Sequence, residues 1–188
     1  MTTDTLHDLG DGLRMRPMRA EDAPRLVALF DDPDVTRMTS SFPLAFDHAF
    51  AVQMTERFAG FDGHANIGWV LEVDGAAAGT ASLHLRAEGV YEIAYALGRT
   101  YWGRGLATRI ARFAVDYAAG TLGARSVVAG CFQDNPASMR VLTKIGLVAT
   151  GEVAEEFSRA RGGPAPCARF ALDLKPGALE ADDLEACA

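Results

Sequence analysis

Apolar and polar residues alternate along Leu13-Arg14-Met15-Arg16-Pro17-Met18, which predicts a first strand. Glu21 and Asp22 then lead Leu26, Leu29 and Phe30 into a short helix that tolerates Pro24 in its first turn. Asp31-Asp32-Pro33-Asp34 ends it. Beyond a loop through Ser40, Ser41 and Pro43, Asp47 is placed to cap a second helix whose Phe50, Met54, Phe58 and Phe61 share a face. Strand-like runs at 68–73 and 77–85 flank Asp74-Gly75, the strongest hairpin signal in the chain. Arg86-Ala87-Glu88-Gly89 turns the chain into another strand, 90–97, which carries Glu92.

From Leu106 the period changes. Leu106, Ile110, Phe113 and Tyr117 recur at helical spacing to about Ala119, where Gly120 and Gly123 stop the helix. Residues 126–131 read as a buried strand. The next helix is fully punctuated, with Asn135 at the N-cap, Pro136 first inside, Lys144 in the last turn and Gly146 just past the end. Ala137, Val141 and Ile145 form its expected inner stripe. A final hairpin joins 148–157 to 167–174 through Ala160-Arg161-Gly162-Gly163-Pro164, and an acidic tail, 176–188, follows. Strand, two helices, three antiparallel strands, helix, strand, helix, hairpin: this order predicts one α+β domain over residues 1–175. Its sheet is mixed, mostly antiparallel and flanked by helices. Repeated strand–helix alternation is missing from the first hundred residues and Gly-x-Gly-x-x-Gly is missing throughout, which excludes a doubly wound dinucleotide fold.

Composition narrows the chemistry. The chain has 188 residues, 49% hydrophobic and 23% charged, as in an ordinary soluble domain. No apolar run approaches the ~20 residues of a membrane span, and the first eight residues lack the basic-then-apolar order of a secretory signal. Cys131, Cys167 and Cys187 are an odd number without metal-ligand spacing, so neither a disulfide framework nor a metal is expected, and the cytoplasm is the expected compartment. A net charge of −7 argues against nucleic acid as a partner. It weakly favours a cationic substrate such as an amine.

Tyr101-Trp102-Gly103-Arg104-Gly105-Leu106-Ala107-Thr108 lies between the 90–97 strand and the following helix. A glycine turn that opens a helix aims several backbone N–H groups and the positive helix end at one spot, an anion site suited to a pyrophosphate. A Cβ at either glycine would hold a phosphate off the backbone. The plainer reading is a tight turn and nothing more.

Three patches together resemble the GNAT N-acetyltransferase superfamily, and most of all its branch of ribosomal-protein N-terminal acetyltransferases. They are 13–18 with Asp22, 102–108, and Asn135-Pro136-Ala137-Ser138-Met139-Arg140-Val141-Leu142-Thr143-Lys144-Ile145-Gly146-Leu147. The superfamily's Gln/Arg-x-x-Gly-x-Gly/Ala signature is met at Gly105 and Ala107, with Trp102 in the first position. The resemblance implies a sheet with a splayed central strand pair and acetyl-CoA as co-substrate. It implies that Trp102, Gly103, Arg104, Gly105, Leu106, Ala107 and Thr108 wrap the pyrophosphate. Backbone groups of the 92–97 strand, Tyr95 and Leu97 among them, and Asn135 would meet the pantetheine arm. Five residues of strand span roughly 16 Å, which would bring the thioester near Glu92.

Acetyl transfer to an amine needs a base, a donor for the oxyanion and a proton for the leaving thiolate. Glu92 is the candidate base, acting through water with its pKa raised by partial burial, against the alternative of a solvated strand-edge glutamate. Ser138 is implied as proton donor to the thiolate, against a serine that only bonds the helix backbone; Tyr95 is a reserve acid. His84 could orient substrate and Glu155 and Glu156 could meet a cationic acceptor, but these residues, with Tyr91 and Cys131, read more simply as packed or solvated. The acceptor is expected to be a primary amine: a protein N-terminus, a polyamine, an amino sugar or an amino acid. A homodimer is expected from the branch. Two other classes remain: a non-catalytic acyl-CoA-binding sensor or interaction module, and a hydrolase or reductase that uses the loop for another phosphate.

Overall fold

The computed structural model describes residues 6–59 and 65–174. In chain order these form β1 (His7–Gly10), β2 (Leu13–Pro17), α1 (Ala23–Phe30), the one-turn α2 (Pro33–Thr36), α3 (His48–Ala59), β3 (Asn66–Val73), β4 (Ala76–Ala87), β5 (Val90–Leu97), α4 (Leu106–Gly120), β6 (Ser126–Phe132), α5 (Pro136–Lys144), β7 (Val148–Ser158) and β8 (Gly163–Asp173). The strands make a single sheet in the order β1-β2-β3-β4-β5-β6-β8-β7. Every neighbouring pair is antiparallel except β5 and β6, so the expected mixed α+β sheet is what the chain builds.

That parallel pair is short. Val90, Tyr91 and Glu92 lie opposite Ser126, Val127 and Val128, and there the pairing ends. Past this point β5 stays with β4 as far as Leu97, while β6 stays with β8 as far as Phe132. The sheet therefore opens like a V beyond Glu92, leaving main-chain groups along both inner edges without a strand partner.

Strand alternation sends side chains to two cores. Ile93 and Leu97 of β5 join Leu71, Ile110, Leu142 and Ile145 under α4 and α5. Ala96 faces the other way, with Leu26, Phe30, Phe46 and Val70 under α1 and α3. Phe30 and Phe46 are fully buried, their rings edge-on at 5.4 Å. Each such burial contributes about 1.5–3 kcal/mol. Arg16 on β2 ties this layer to the sheet by donating to both oxygens of Asp22 at 2.8 and 2.6 Å, and to Glu72 on β3 at 2.7 Å.

Several details differ from the sequence pattern. Asp22 turns its carboxylate to Arg16 and the Arg19 amide rather than capping α1. The edge strand β1 and the one-turn α2 carry too few residues for a period to show. Asp47 does cap α3, accepting from the Phe50 amide at 2.8 Å, but Phe61 lies outside the described residues, as do the tail 176–188 and Cys187. The inner stripe of α5 is Leu142 and Ile145 rather than Ala137, which is exposed. Finally β8 begins at Gly163, not Cys167. Pro164 and Pro166 lack N–H groups on the side facing β6, where β6 has already ended at Phe132, so the missing donors cost the ladder nothing.

Candidate active site

The mouth of the V meets the start of α4. Gly103 and Gly105 both have φ of +74°, a backbone that glycine adopts freely, and a Cβ at either would touch no protein atom within 4 Å. The space above the turn is open. The first helical donor of α4 is the Arg109 amide, which reaches Gly105 O at 3.3 Å; the amides of Leu106, Ala107 and Thr108 precede it and point out of the helix end. This is a cradle for an anion built from main chain. Trp102 donates its indole N–H to Leu97 O at 2.9 Å, pinning the loop to the end of β5 and occupying a carbonyl expected to meet the pantetheine arm. Arg104 is turned aside, its guanidinium 5.6 Å from the centre of the Tyr101 ring.

A cavity of about 1010 Å³ runs from this loop through the slit and out under α3. Its walls include Trp102, Gly103, Gly105, Leu106, Ala107, Thr108, Tyr95, Leu97, Asn135, Ser138 and Glu92, so among the sequence-derived site residues only Arg104 stands off it. On the α4–α5 side, Asn135 caps α5 by accepting from the Ser138 amide at 3.1 Å, which fixes the serine at the slit. Ser138 Oγ and Tyr95 Oη lie 2.8 Å apart. Burial drives the Tyr95 hydroxyl well above its ordinary pKa, an effect only partly opposed by Ser138, so the pair stays protonated at neutral pH. The Cys131 thiol donates to Asn135 O at 3.5 Å, and burial raises its pKa.

On the opposite face, Glu92 stands where the sheet divides. Arg86 takes its Oε2 through two nitrogens, so the candidate base is ion-paired, a partner the sequence did not show. Across the strand pair, Ser82 faces Ala94 and His84 faces Glu92. Here the structure assembles a chain that pattern reading missed. Asn66 Oδ1 accepts from His84 Nδ1 at 2.7 Å, and Ser82 Oγ donates to His84 Nε2 at 3.0 Å. His84 is pushed down to about 4 by burial and by the positive charges of Arg57 and Arg86, and is neutral at physiological pH. The i, i+2 spacing of Ser82 and His84 was the one available signal, since it puts both on one face of a strand. Asn66 comes from another strand. Glu156, expected in solvent, pairs with buried Arg169 at 3.0 Å.

Sequence comparison matches residues 12–148 to the family described as acetyltransferase (GNAT) domain. The chain belongs to the GNAT acetyltransferase family. It is 26% identical over 155 residues to an uncharacterized N-acetyltransferase, p20, of Bacillus licheniformis, covering 80% of this chain and 86% of that one. Among solved structures it resembles RimL, a ribosomal L7/L12 alpha-N-protein acetyltransferase in complex with coenzyme A, with a TM-score of 0.79 at 15% identity over 90% of this chain and 98% of that one. It also resembles the ribosomal-protein-S5-alanine acetyltransferase of Vibrio fischeri, at 0.78 and 16% over 92% and 98%. These likenesses establish the GNAT fold, and family membership makes the chain an acyltransferase. Among the described residues, no helix is long and apolar enough to cross a membrane and no group of His, Cys, Asp and Glu is arranged to hold a metal.

Proposed function

We propose that the protein transfers an acetyl group from acetyl-CoA to a primary amine by direct attack. The observation that carries this reading is the unpaired amide cradle at Gly103 to Thr108, opening into the slit between β5 and β6. A pyrophosphate on the cradle lets an extended pantetheine arm run along the free edge of β5 and puts the thioester near the fork of the V. The two faces of the sheet then divide the chemistry. The amine nitrogen attacks the carbonyl carbon from the α3 side and gives its proton through water to Glu92, whose Oε1 is left free while Arg86 holds Oε2. The C–S bond breaks toward the α5 side, where the thiolate takes the proton of Ser138, backed by Tyr95. Asn135 meets the arm with its remaining polar atoms while it caps α5.

Two buried free cysteines among the described residues fit a cytoplasmic enzyme. Self-association fits edge strand β7, which exposes Val148, Val153 and Phe157.

The test couples a thermal shift with acetyl-CoA to an amine-panel assay for free CoA. The expected result is stabilisation that grows with cofactor concentration, as a ligand of the native state alone requires, together with CoA release for at least one amine. Stabilisation without turnover across the panel would favour the sensor reading. No shift at millimolar cofactor would remove both.

A further inference from the structure

The charges around the α3 end of the cavity do not cancel. Glu92 is matched by Arg86 and Glu156 by Arg169. Asp134, on the turn into α5, is held by Arg37 at 3.0 Å and Arg161 at 2.8 Å. Every carboxylate on the wall is thus already neutralised. Arg57 on α3 and Arg159 just beyond β7 also line the cavity, and neither has a carboxylate partner among the described residues. Arg140 and Lys144, the other cations of the wall, sit on α5 on the cofactor side. Subtracting the matched pairs leaves an acceptor end that is positive, inside a protein whose net charge is −7.

The geometry brings these two guanidiniums to one region. Arg159 packs against Phe50, its Cζ 5.0 Å from the ring centre. Arg57 is seven residues further along the same helix, hence on the same face and about 10 Å away. Met38, Phe42, Phe50, Met54 and Phe58 supply apolar wall around them. The field also reaches the floor of the cavity, because the Arg57 charge acts to drive the proton from His84. A polyamine approaching here would meet uncompensated positive charge. An acceptor with a negative group of its own would be matched, and the nearby cations would shift its ammonium toward the free base that attacks.

We propose that the acceptor is a small amine that also carries an anionic group, carboxylate or phosphate, which Arg57 and Arg159 receive. This rests on the N-acetyltransferase reading and runs against the expectation of a purely cationic substrate that the net charge raised. The probes are two matched pairs, L-phenylalanine with L-phenylalaninamide and phosphoethanolamine with ethanolamine, beside spermidine and a neutral peptide N-terminus. Binding is measured by calorimetry with CoA present, and kcat/KM by CoA release. The anionic member of at least one pair should be preferred at least tenfold, and which pair responds tells carboxylate from phosphate. In the Arg57→Gln/Arg159→Gln double variant that ratio should fall close to one through KM. Both side chains are exposed, so the fold should survive, and far-ultraviolet circular dichroism checks it. Equal or reversed preference within both pairs, or preference for spermidine or the peptide, overturns the proposal even if CoA is released. Charge-selective binding with no turnover of any amine overturns the transferase reading and the acceptor role with it, leaving only an anion-binding site at Arg57 and Arg159.

Discussion

Tyr95 and Ser138 are 43 residues apart in sequence, yet their hydroxyls share one hydrogen bond. If they form a single route for the proton, Tyr95→Phe and Ser138→Ala should each lower kcat roughly 10- to 100-fold with little change in acetyl-CoA affinity. The double variant should be no slower than the worse single one, because a broken relay cannot be broken twice. Steady-state kinetics checks this, and multiplicative losses would show two independent roles. His84 offers a test that needs no substrate. Burial, Arg57 and Arg86 hold its folded-state pKa near 4, against 6.5 when free. The unfolded chain therefore binds the proton first as pH falls. Stability should be complete above about pH 6.5 and decline between there and about pH 4, by on the order of 2–3 kcal/mol from this group. Urea unfolding at neutral pH and near pH 4.5 should show a smaller drop in His84→Gln than in the native chain.

At the scale of elements, the glycine turn shows what sequence conveys and what it omits. Gly103 and Gly105 announce a tight turn, and the structure adds that both occupy positive φ beneath open space. Gly105→Val should thus cost about 1–2 kcal/mol from backbone strain alone, with no clash in the empty protein. It should also abolish acetyl-CoA-induced stabilisation, because the isopropyl group fills the cradle. A thermal melt with and without cofactor separates the two effects, and a retained shift would remove the loop from the site. Local signals were similarly legible where two or three adjacent residues decide the geometry. Asp74-Gly75 takes positive φ at both positions, and Asn135, Pro136 and Lys144 mark α5 as the pattern implied. What sequence could not convey is pairing across distance. Asn66 reaches His84 over 18 residues, and Arg161 crosses 27 to Asp134. The Arg86–Glu92 pair spans only six residues, but it depends on the turn between β4 and β5 placing both on one side. Ala137 misled for a local reason: it fits the helical period, but at the first turn of α5 that stripe has run past the sheet and faces the cavity.

Across the whole molecule, two half-sheets are joined by three residue pairs at the base of the V. One half, β1 to β5, carries Glu92, the Ser82–His84–Asn66 chain and the α3 wall of the cavity. The other, β6 to β8, packs with α5 and its Asn135 and Ser138. A ligand lying in the slit would bond to the inner edge of β5 and span both halves at once, so its effect should be localised by topology. Main-chain amides of β5 beyond Glu92 that face β6 have no strand partner, whereas the outer-facing amides are covered by β4 as far as Leu97. Native-state hydrogen exchange should therefore show fast exchange at alternate β5 amides without ligand, and slowing of at least about tenfold at those positions on adding acetyl-CoA. The amides of Leu106, Ala107 and Thr108 should slow with them, since the same molecule fills the cradle. CoA lacking its acetyl group should give the same pattern, because the contacts are to pyrophosphate and pantetheine. Protection spread evenly over the sheet, or confined to α4 with β5 unchanged, would mean that the arm does not run through the fork and that the thioester lies elsewhere.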